Sequence, residues 1–391
     1  MADFGEFWLV AAPCPMSKDE AFRTLMHNAG EFATATRFNV PDLKVGTLDA
    51  LVQLSEELQK HEMFADSVVR KLAQLVSDLL AETPDAEQVP NGASEKLSEN
   101  LVIGDKDPAA YLKNFNWDTA RYLTKSSIPE LTDTLTKHLS QIENGMKGKT
   151  SAYNQLRGNL QALERKATGN LLVRSLTDVV KKEHFVLDSE YLTTLLVVVP
   201  KASFREWESS YERITDMVVP RSSKMIAEDS EYGLFTVTVF QKIASDYKVS
   251  ARERRFVVRD FAFDEASVEQ GKKDRTNLET ERKRQWGAMI RWGKVNFSEA
   301  FTAYAHLKAV RLFVESVLRY GLPVNFQGVL LQINKKTEKK LVDVLYRIYG
   351  YLDKSATKND ETVEVPGMHS HNQEKFHPWV MVQLGLNLLD K

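Results

Sequence analysis

The chain has 391 residues, 43% of them hydrophobic, and its 52 Lys and Arg side chains nearly balance 54 Asp and Glu. This length and apolar content predict two or three domains with real cores, and the net charge of −2 argues against a protein whose main partner is nucleic acid. Cys14 is the only cysteine. It excludes an intramolecular disulfide and favours a reducing, cytosolic compartment.

The sequence contains no segment typical of secretion or membrane insertion. Two acidic residues and no basic residue precede the short apolar run near the N-terminus, which is unlike a signal peptide. The apolar run at 195–199 has five residues, against roughly twenty for a membrane-spanning helix. We therefore expect a soluble chain whose contact with a membrane goes through a partner.

The first third of the sequence predicts a strand, a helical region and a loop. Residues 7–12 are apolar and end at Pro13, which is typical of a strand. From 49 to 80 the leucines and valines recur at helical spacing. Residues 82–100 contain two prolines and many polar side chains, which predicts an exposed loop.

A long heptad-like pattern follows and predicts a helix with a narrow apolar seam. Its apolar positions are Leu131, Leu135, Leu139, Ile142, Met146, Tyr153, Leu156, Leu160, Leu163 and Ala167. Such a seam needs a partner helix. Gly145 and Gly148 interrupt it, and each weakens a helix interior by roughly 1 kcal/mol against Ala.

The middle of the chain predicts a compact α+β domain. Residues 191–200, 234–240 and 255–263 are rich in β-branched and aromatic side chains and predict strands, and residues 203–218 contain a helical patch. In the segment ARERRFVVRDF (251–261), we expect Val257 and Phe261 to contribute to the core.

The final third predicts a charged helix, an apolar helix and two strands. Residues 264–292 are mostly charged and lack proline, so we expect an exposed helix that returns antiparallel to the 131–167 helix. The helical pattern continues to a stop at Gly321 and Pro323. Residues 328–333 and 379–389 predict strands. If the strands at the two chain ends share a sheet, the middle of the chain is inserted into a domain built from both ends.

Motifs that could carry catalysis are weak. GMKGKT (145–150) lacks the first glycine of a phosphate-binding loop and lies inside the predicted helix, so we interpret it as helix surface. The carboxylate pairs Glu56 with Glu57 and Glu279 with Glu281 lie on polar helix faces, and Cys14 has no nearby histidine in sequence except His27. The sequence shows no catalytic signature and implies no cofactor.

Three histidines, His369, His371 and His377, lie in one polar loop with Glu374 nearby. A His-x-His pair can chelate a metal ion. No predicted helix or strand fixes the geometry of this loop, so we favour an ordinary polar loop without a metal.

Four arginines in ARERRFVVRDF form the one distinctive surface candidate: Arg252, Arg254, Arg255 and Arg259. A solvated strand face, an interface for an acidic or helical protein partner, and a nucleic-acid surface are the three interpretations. Glu253 and Asp260 reduce the local charge to +2, four arginines less two acids, and strand alternation would put only some arginines on one face. Nucleic acid is therefore the least favoured.

The sequence resembles the C subunit of the vacuolar-type proton-pumping ATPase (V-ATPase). The resemblance rests on five segments in the family's order: RFNVPDLKVGTLDALVQLSEEL (37–58), NLLVRSLTDVVKKEHFVLDSEYLTTLLVVVPK (170–201), MVVPRSSKMIAEDSEYGLFTVTVF (217–240), ARERRFVVRDF (251–261) and WGKVNFSEAFTAYAHLKAVRLFVESVLRYGLPVNF (292–326). Departures from the family pattern cluster at 82–110, 264–285 and 352–377.

The resemblance implies an elongated α+β protein of three parts: a foot domain (1–130 and 293–391), an antiparallel two-helix coiled neck (131–170 and 263–292) and an inserted head domain (171–262). It implies a non-catalytic stator component of the cytosolic ATP-hydrolysing sector, on the cytosolic face of vacuolar, endosomal, lysosomal or plasma membranes. The head would bind a peripheral stalk made of the E and G subunits. The foot would contact a second stalk and the N-terminal domain of the membrane a-subunit.

The same resemblance implies reversible assembly that controls proton transport and organelle acidification, and an association of some members with actin filaments. Three alternatives remain open on the residues alone. They are a coiled-coil cytoskeletal adaptor outside the pump, a small-molecule enzyme with an unrecognised site in the head, and a nucleic-acid binder.

Overall fold

The structure is a computed structural model that describes residues 3–14, 17–82, 99–177, 179–187, 189–333, 336–352 and 377–389. The chain divides into two compact units. The first comprises Met1–Lys149 with Gly287–Lys391, and the second comprises Thr150–Trp286. The three-part division into foot, neck and head stays a prediction.

Helices and antiparallel strands are mixed in both units, as an α+β class requires. The helices in the described ranges are α1 (Lys18–Ala29), α2 (Leu48–Ala81), α3 (Pro108–Lys113), α4 (Ile128–Thr168), α5 (Phe204–Ser210), α6 (Ala244–Glu253), α7 (Glu265–Tyr320) and α8 (Glu338–Tyr349). The strands are β1 (Asp3–Pro13), β2 (Ala33–Arg37), β3 (Leu192–Pro200), β4 (Lys224–Glu228), β5 (Tyr232–Phe240), β6 (Val257–Arg259), β7 (Phe326–Ile333) and β8 (Val380–Asn387). No helix within these ranges is long and apolar enough to cross a membrane.

The sheet of the first unit joins the two ends of the chain, which confirms that prediction. Its strand order is β2-β7-β1-β8, and every neighbouring pair is antiparallel. Leu9 of β1 lies opposite Leu330 of β7 on one side and Val382 of β8 on the other. The N-terminal strand is thus central in the sheet, and its position depends on two strands from the last 66 residues.

Both faces of the sheet are buried at the interior strand β1, whose consecutive residues are apolar. Phe7, Leu9 and Ala11 pack in a large core with residues of α2, α4 and α7. Trp8 and Val10 point to the opposite face, where α1 and α8 cover them in a smaller core. The sequence patterns did not predict α1, β2 or α8.

Cationic side chains donate hydrogen bonds to carbonyl oxygens along the outer edge of β8. The carbonyl oxygens of Trp379, Gln383 and Asn387 recur every fourth residue and therefore lie on one edge of the strand. Arg319 Nη1 donates to the first at 2.7 Å, Lys308 Nζ to the second at 3.1 Å, and Arg70 Nη1 to the third at 2.7 Å. Such contacts protect an edge strand against pairing with another chain.

The second unit is built on a four-stranded antiparallel sheet of order β4-β5-β3-β6. The predicted strands at 191–200 and 234–240 are β3 and β5, which pair along their whole length from Leu192↔Phe240 to Pro200↔Tyr232. Alternate residues of β3 supply two cores: Val197 and Val199 pack with Trp207 in one, and Leu196 and Val198 pack in the other.

The two long predicted helices are continuous, and each has residues in both units. α4 covers Ile128–Thr168 and α7 covers Glu265–Tyr320. Gly145 has a local reason to be glycine, since a Cβ atom there would lie 3.2 Å from the indole ring of Trp292. The stop at Gly321 is confirmed, because α7 ends at Tyr320 and Gly321 has a positive φ of 78°. The antiparallel coiled neck stays a prediction.

Candidate partner interface

The arginine-rich segment is not a single strand, and the expectation of a strand over 255–263 is wrong for most of its length. Residues 251–253 complete α6, residues 254–256 turn, and only Val257–Arg259 form a strand. The physical cause is the helix end. The N–H of Phe256 donates to Ala251 O (2.9 Å) and the N–H of Arg255 to Arg252 O (2.9 Å), which is the Schellman pattern of helix termination.

The turn reverses which side chains of the segment face the core. Phe256, the residue after the left-handed position, is fully buried beside Ala251 and Trp207. Val257, expected in the core, is 38% exposed. Phe261 is partly buried and packs against Phe185, with ring centroids 5.9 Å apart.

Arg255 occupies the left-handed position of this turn with φ 66°, where glycine is usual. We therefore expect Arg255→Gly to raise the free energy of unfolding by about 1 kcal/mol, because the glycine removes the cost of a left-handed L-residue. Arg252→Gly, with the same loss of charge in the last turn of α6, should lower it by roughly 1 kcal/mol. Urea unfolding of both variants checks this. Shifts of the same sign in the two variants would contradict it.

The structure separates the four arginines into two groups. Arg252, Arg254 and Arg255 are exposed at the end of α6. Arg259 is partly buried, and its guanidinium donates from Nη1 to Leu171 O (2.9 Å) and from Nη2 to Arg174 O (3.1 Å). Three arginines thus share a surface, and the fourth is held by backbone carbonyls of its own unit.

The nearby carboxylate of Asp260 is already paired. Lys248 donates a hydrogen bond to Asp260. This bond and the lysine charge, with a smaller contribution from Arg252, lower the pKa of Asp260. Residues 251–255 contain three arginines and one acid, Glu253, so the local charge of that run is +2 (three arginines less one acid).

A second surface feature was not predicted from the sequence. Tyr191, Met217 and Phe240 are large apolar side chains that stay exposed and line an open groove of about 550 Å³ with Lys242. The three segments meet because the N–H of Phe240 donates to Met217 O and the N–H of Gln241 to Tyr191 O. The only sequence signal was alternation, which puts Phe240 on the opposite face from Val239.

The remaining catalytic candidates have environments that oppose reactivity. Residues 145–150 lie within helix α4, so the Gly-Lys-Thr tripeptide does not form a loop. Cys14 is buried, and burial raises the pKa of its thiol. Hydrogen bonding to Arg284 lowers the pKa of Glu281, so this carboxylate is ionised, and a general acid needs a raised pKa.

Of the three histidines, His369 and His371 lie outside the described residues, as does Glu374. His377 stacks on Trp379 with ring centroids 4.7 Å apart, and its Nδ1 lies 3.2 Å from the hydroxyl of Tyr346. Within the described ranges no group of three His, Cys, Asp or Glu side chains is placed to hold a metal ion.

Comparison with known proteins identifies the family. The family model of the V-ATPase C subunit matches residues 7–380. The V-type proton ATPase C 1-A subunit of Danio rerio is 48% identical over 390 residues, covering 98% of this chain and 99% of that protein. The V-type proton ATPase C subunit of Manduca sexta is 46% identical over 392 residues, with 99% of both chains covered. The V-type proton ATPase C 1 subunit of Bos taurus is 47% identical, covering 98% of this chain and 99% of that protein.

The matched region includes nearly the whole chain and both compact units. No active site is expected, since the family and its members are named as one subunit of a larger ATPase. The chain therefore belongs to the family of V-ATPase C subunits, which are non-catalytic components of the V-type proton-pumping ATPase.

Proposed function

We propose that this chain is a stator component of the cytosolic ATP-hydrolysing sector of the proton pump and that it controls reversible assembly. In this role it links the peripheral stalks, made of the E and G subunits, to the N-terminal domain of the membrane a-subunit. Proton transport, and with it acidification of the organelle, then depends on whether the chain is in place. The observation that carries the proposal is family membership over residues 7–380.

The division of the chain supports a linking role. Each unit has its own four-stranded sheet and its own cores, so each can present a separate binding surface. α4 and α7 run without a break across the unit boundaries at 149/150 and 286/287. Continuous helices resist bending better than flexible linkers. This property suits a stator component, which must stay in place while the rotor of the pump turns.

Two surfaces of modest strength on one chain also suit reversible assembly. Once one surface is bound, the second contact forms at high effective concentration, so the chain binds the pump more tightly than either surface would alone. Loss of either contact removes that advantage and weakens the attachment sharply. The proposed location is the cytosolic face of vacuolar, endosomal, lysosomal or plasma membranes, reached through the pump.

We assign the contact with the E–G stalk to the basic end of α6. Arg252, Arg254 and Arg255 are exposed there, and Arg255 lies in a backbone conformation that favours glycine. An unfavourable backbone position with a charged side chain supports a functional interpretation. The first unit would contact the second stalk and the membrane a-subunit, and an association with actin filaments is a further family property that we propose for testing.

The test reverses the charge of the three arginines together. We expect Arg252→Glu, Arg254→Glu and Arg255→Glu in one chain to raise the Kd for the purified E–G stalk at least tenfold, because attraction to an acidic surface becomes repulsion. Isothermal titration at moderate salt measures it. Arg259 is left unchanged, because its hydrogen bonds belong to the fold.

The matched control changes the same amount of charge elsewhere in the second unit. Lys272, Lys273 and Arg275 are exposed on α7, and their triple change to Glu alters the net charge equally. We expect this control to keep the wild-type affinity within about threefold. Unchanged affinity in the Arg252/Arg254/Arg255 variant would return those residues to a solvated surface.

A further inference from the structure

The segment that follows α4, residues 169–175 (the exit of α4), is hydrogen-bonded to the last turn of the helix. The N–H of Gly169 donates to Arg165 O (3.1 Å), and the N–H of Ser175 reaches back to Lys166 O (2.7 Å). The chain between them turns tightly, since the N–H of Arg174 donates to Asn170 O at 2.8 Å. Residues 169–175 therefore continue the last turn of α4 as a hydrogen-bonded unit rather than as a free linker.

Asp229, in the turn between β4 and β5, holds this exit from one side. Its Oδ2 accepts the N–H of Leu171 (2.8 Å), and its Oδ1 accepts the N–H groups of Glu231 (2.8 Å) and Tyr232 (2.6 Å). Although burial opposes ionisation, the backbone donors lower the pKa of Asp229. One ionised carboxylate thus joins the turn of the sheet to the exit of the helix.

Arg259, on β6, holds the same exit from another strand. Its guanidinium donates to the carbonyls of Leu171 and Arg174 at 2.9 and 3.1 Å. Both backbone polar groups of Leu171 are then engaged, the N–H by Asp229 and the C=O by Arg259. The Leu171 side chain is buried in the core beside Leu196 and Val198 of β3.

We infer that Asp229 and Arg259 form a clamp on Leu171 that fixes the end of α4 against the β-sheet of the second unit as a stiff joint. A charged donor and a charged acceptor make stronger and more directional hydrogen bonds than neutral groups. Asp229 in the β4–β5 turn and Arg259 on β6 bind the two backbone polar groups of Leu171. Rotation of the helix end would therefore break both sets of hydrogen bonds. Asp229 and Arg259 are the positioning residues. That the joint transmits force between α4 and the sheet rests on the proposed stator role.

The joint can be tested on the isolated full chain by spin-label distances. Cys14→Ala removes the native thiol, and Gln161→Cys on α4 with Lys224→Cys on β4 supplies two exposed label sites within the second unit. We expect a narrow distance distribution in this background. Arg259→Met with Asp229→Asn should at least double its width, and Arg259→Lys, which keeps the charge without the planar two-pronged guanidinium, should fall between.

The control is Arg205→Met with Asp216→Asn, which changes the same charges at exposed positions and should leave the width unchanged. Far-UV circular dichroism reports whether each variant is folded, and Arg259→Lys provides the answer if the double variant unfolds. A wild-type width in the folded double variant, or in folded Arg259→Lys when the double variant unfolds, would overturn the clamp. No stalk is present in this measurement, so its outcome is independent of the triple-arginine binding test of the proposed function.

Discussion

Glu62→Gln should lower the free energy of unfolding of the first unit by about 3–5 kcal/mol, the usual cost of leaving buried charges without their partner. Glu62 is 4% exposed, and its Oε2 accepts from Lys308 Nζ at 3.2 Å and from Arg311 Nη1. A neutral amide would leave Lys308 and Arg311, whose side chains are only 10% and 19% exposed, without the charge of Glu62. Urea unfolding and amide hydrogen exchange measure the effect.

The hydrogen exchange should localise the damage. Lys308 also donates to Gln383 O of β8, so we expect exchange to accelerate in β8 more than in β3 of the second unit. Glu57→Gln, at an exposed position on the same helix, should change stability by less than about 0.5 kcal/mol. A Glu62→Gln variant within 1 kcal/mol of wild type would show that the three charges are not mutually dependent.

Acidification should destabilise the first unit through His306. This side chain is fully buried, with ring centroids 4.8 Å from Trp117 and 4.7 Å from Tyr122. Its Nε2 accepts the N–H of Asp118 (2.9 Å), so the proton lies on Nδ1, which donates to Thr302 O (2.7 Å). Burial lowers the pKa of His306 to about 4.

The sign follows from the two protonation states. With a folded pKa of about 4 and an unfolded value near 6.5, the unfolded chain binds the proton first as pH falls. The stabilisation is complete above pH 6.5 and is lost progressively between pH 6.5 and 4, by about 3 kcal/mol in total. Protonation would also place an N–H at Nε2 against the N–H of Asp118, which releases that hydrogen bond.

Urea unfolding between pH 7 and pH 4 checks the titration. We expect His306→Gln to have a much shallower pH dependence than wild type, because the titrating group is gone. His27→Gln, at an exposed position on α1, should keep the wild-type slope. Equal slopes for wild type and His306→Gln would exclude His306 as the cause.

Long regular patterns in the sequence predicted most of the fold. The seam that begins at Leu131 and the alternation in 234–240 gave α4 and β5 because helix and strand periods are local properties. Apolar strands at both ends of the chain suggested a shared sheet without specifying it, and the structure pairs them. Short elements such as α1 and α8 were missed, since a 12-residue helix offers only about three turns in which a period can show. Leu341, Val344, Leu345 and Ile348 of α8 do recur at helical spacing and could have revealed it.

The surface details depended on contacts that local patterns do not contain. The turn after α6 places Arg255 where a glycine usually marks the helix end, so the sequence pointed to a longer strand and to Val257 in the core. Arg259 looked like its three neighbours, and only the fold brings it to Leu171, 88 residues away in sequence. The same holds for Glu62 and Lys308, which are 246 residues apart.

The proposed stator role is tested most directly by the native mass of the complex that this chain captures from cells. With a tagged full-length chain, we expect one copy together with the E and G subunits and with the ATP-hydrolysing subunits of the pump. The membrane a-subunit should join when detergent-solubilised membranes are used. A mass corresponding to the chain alone, or to the chain with cytoskeletal filament proteins and no other pump component, would contradict it.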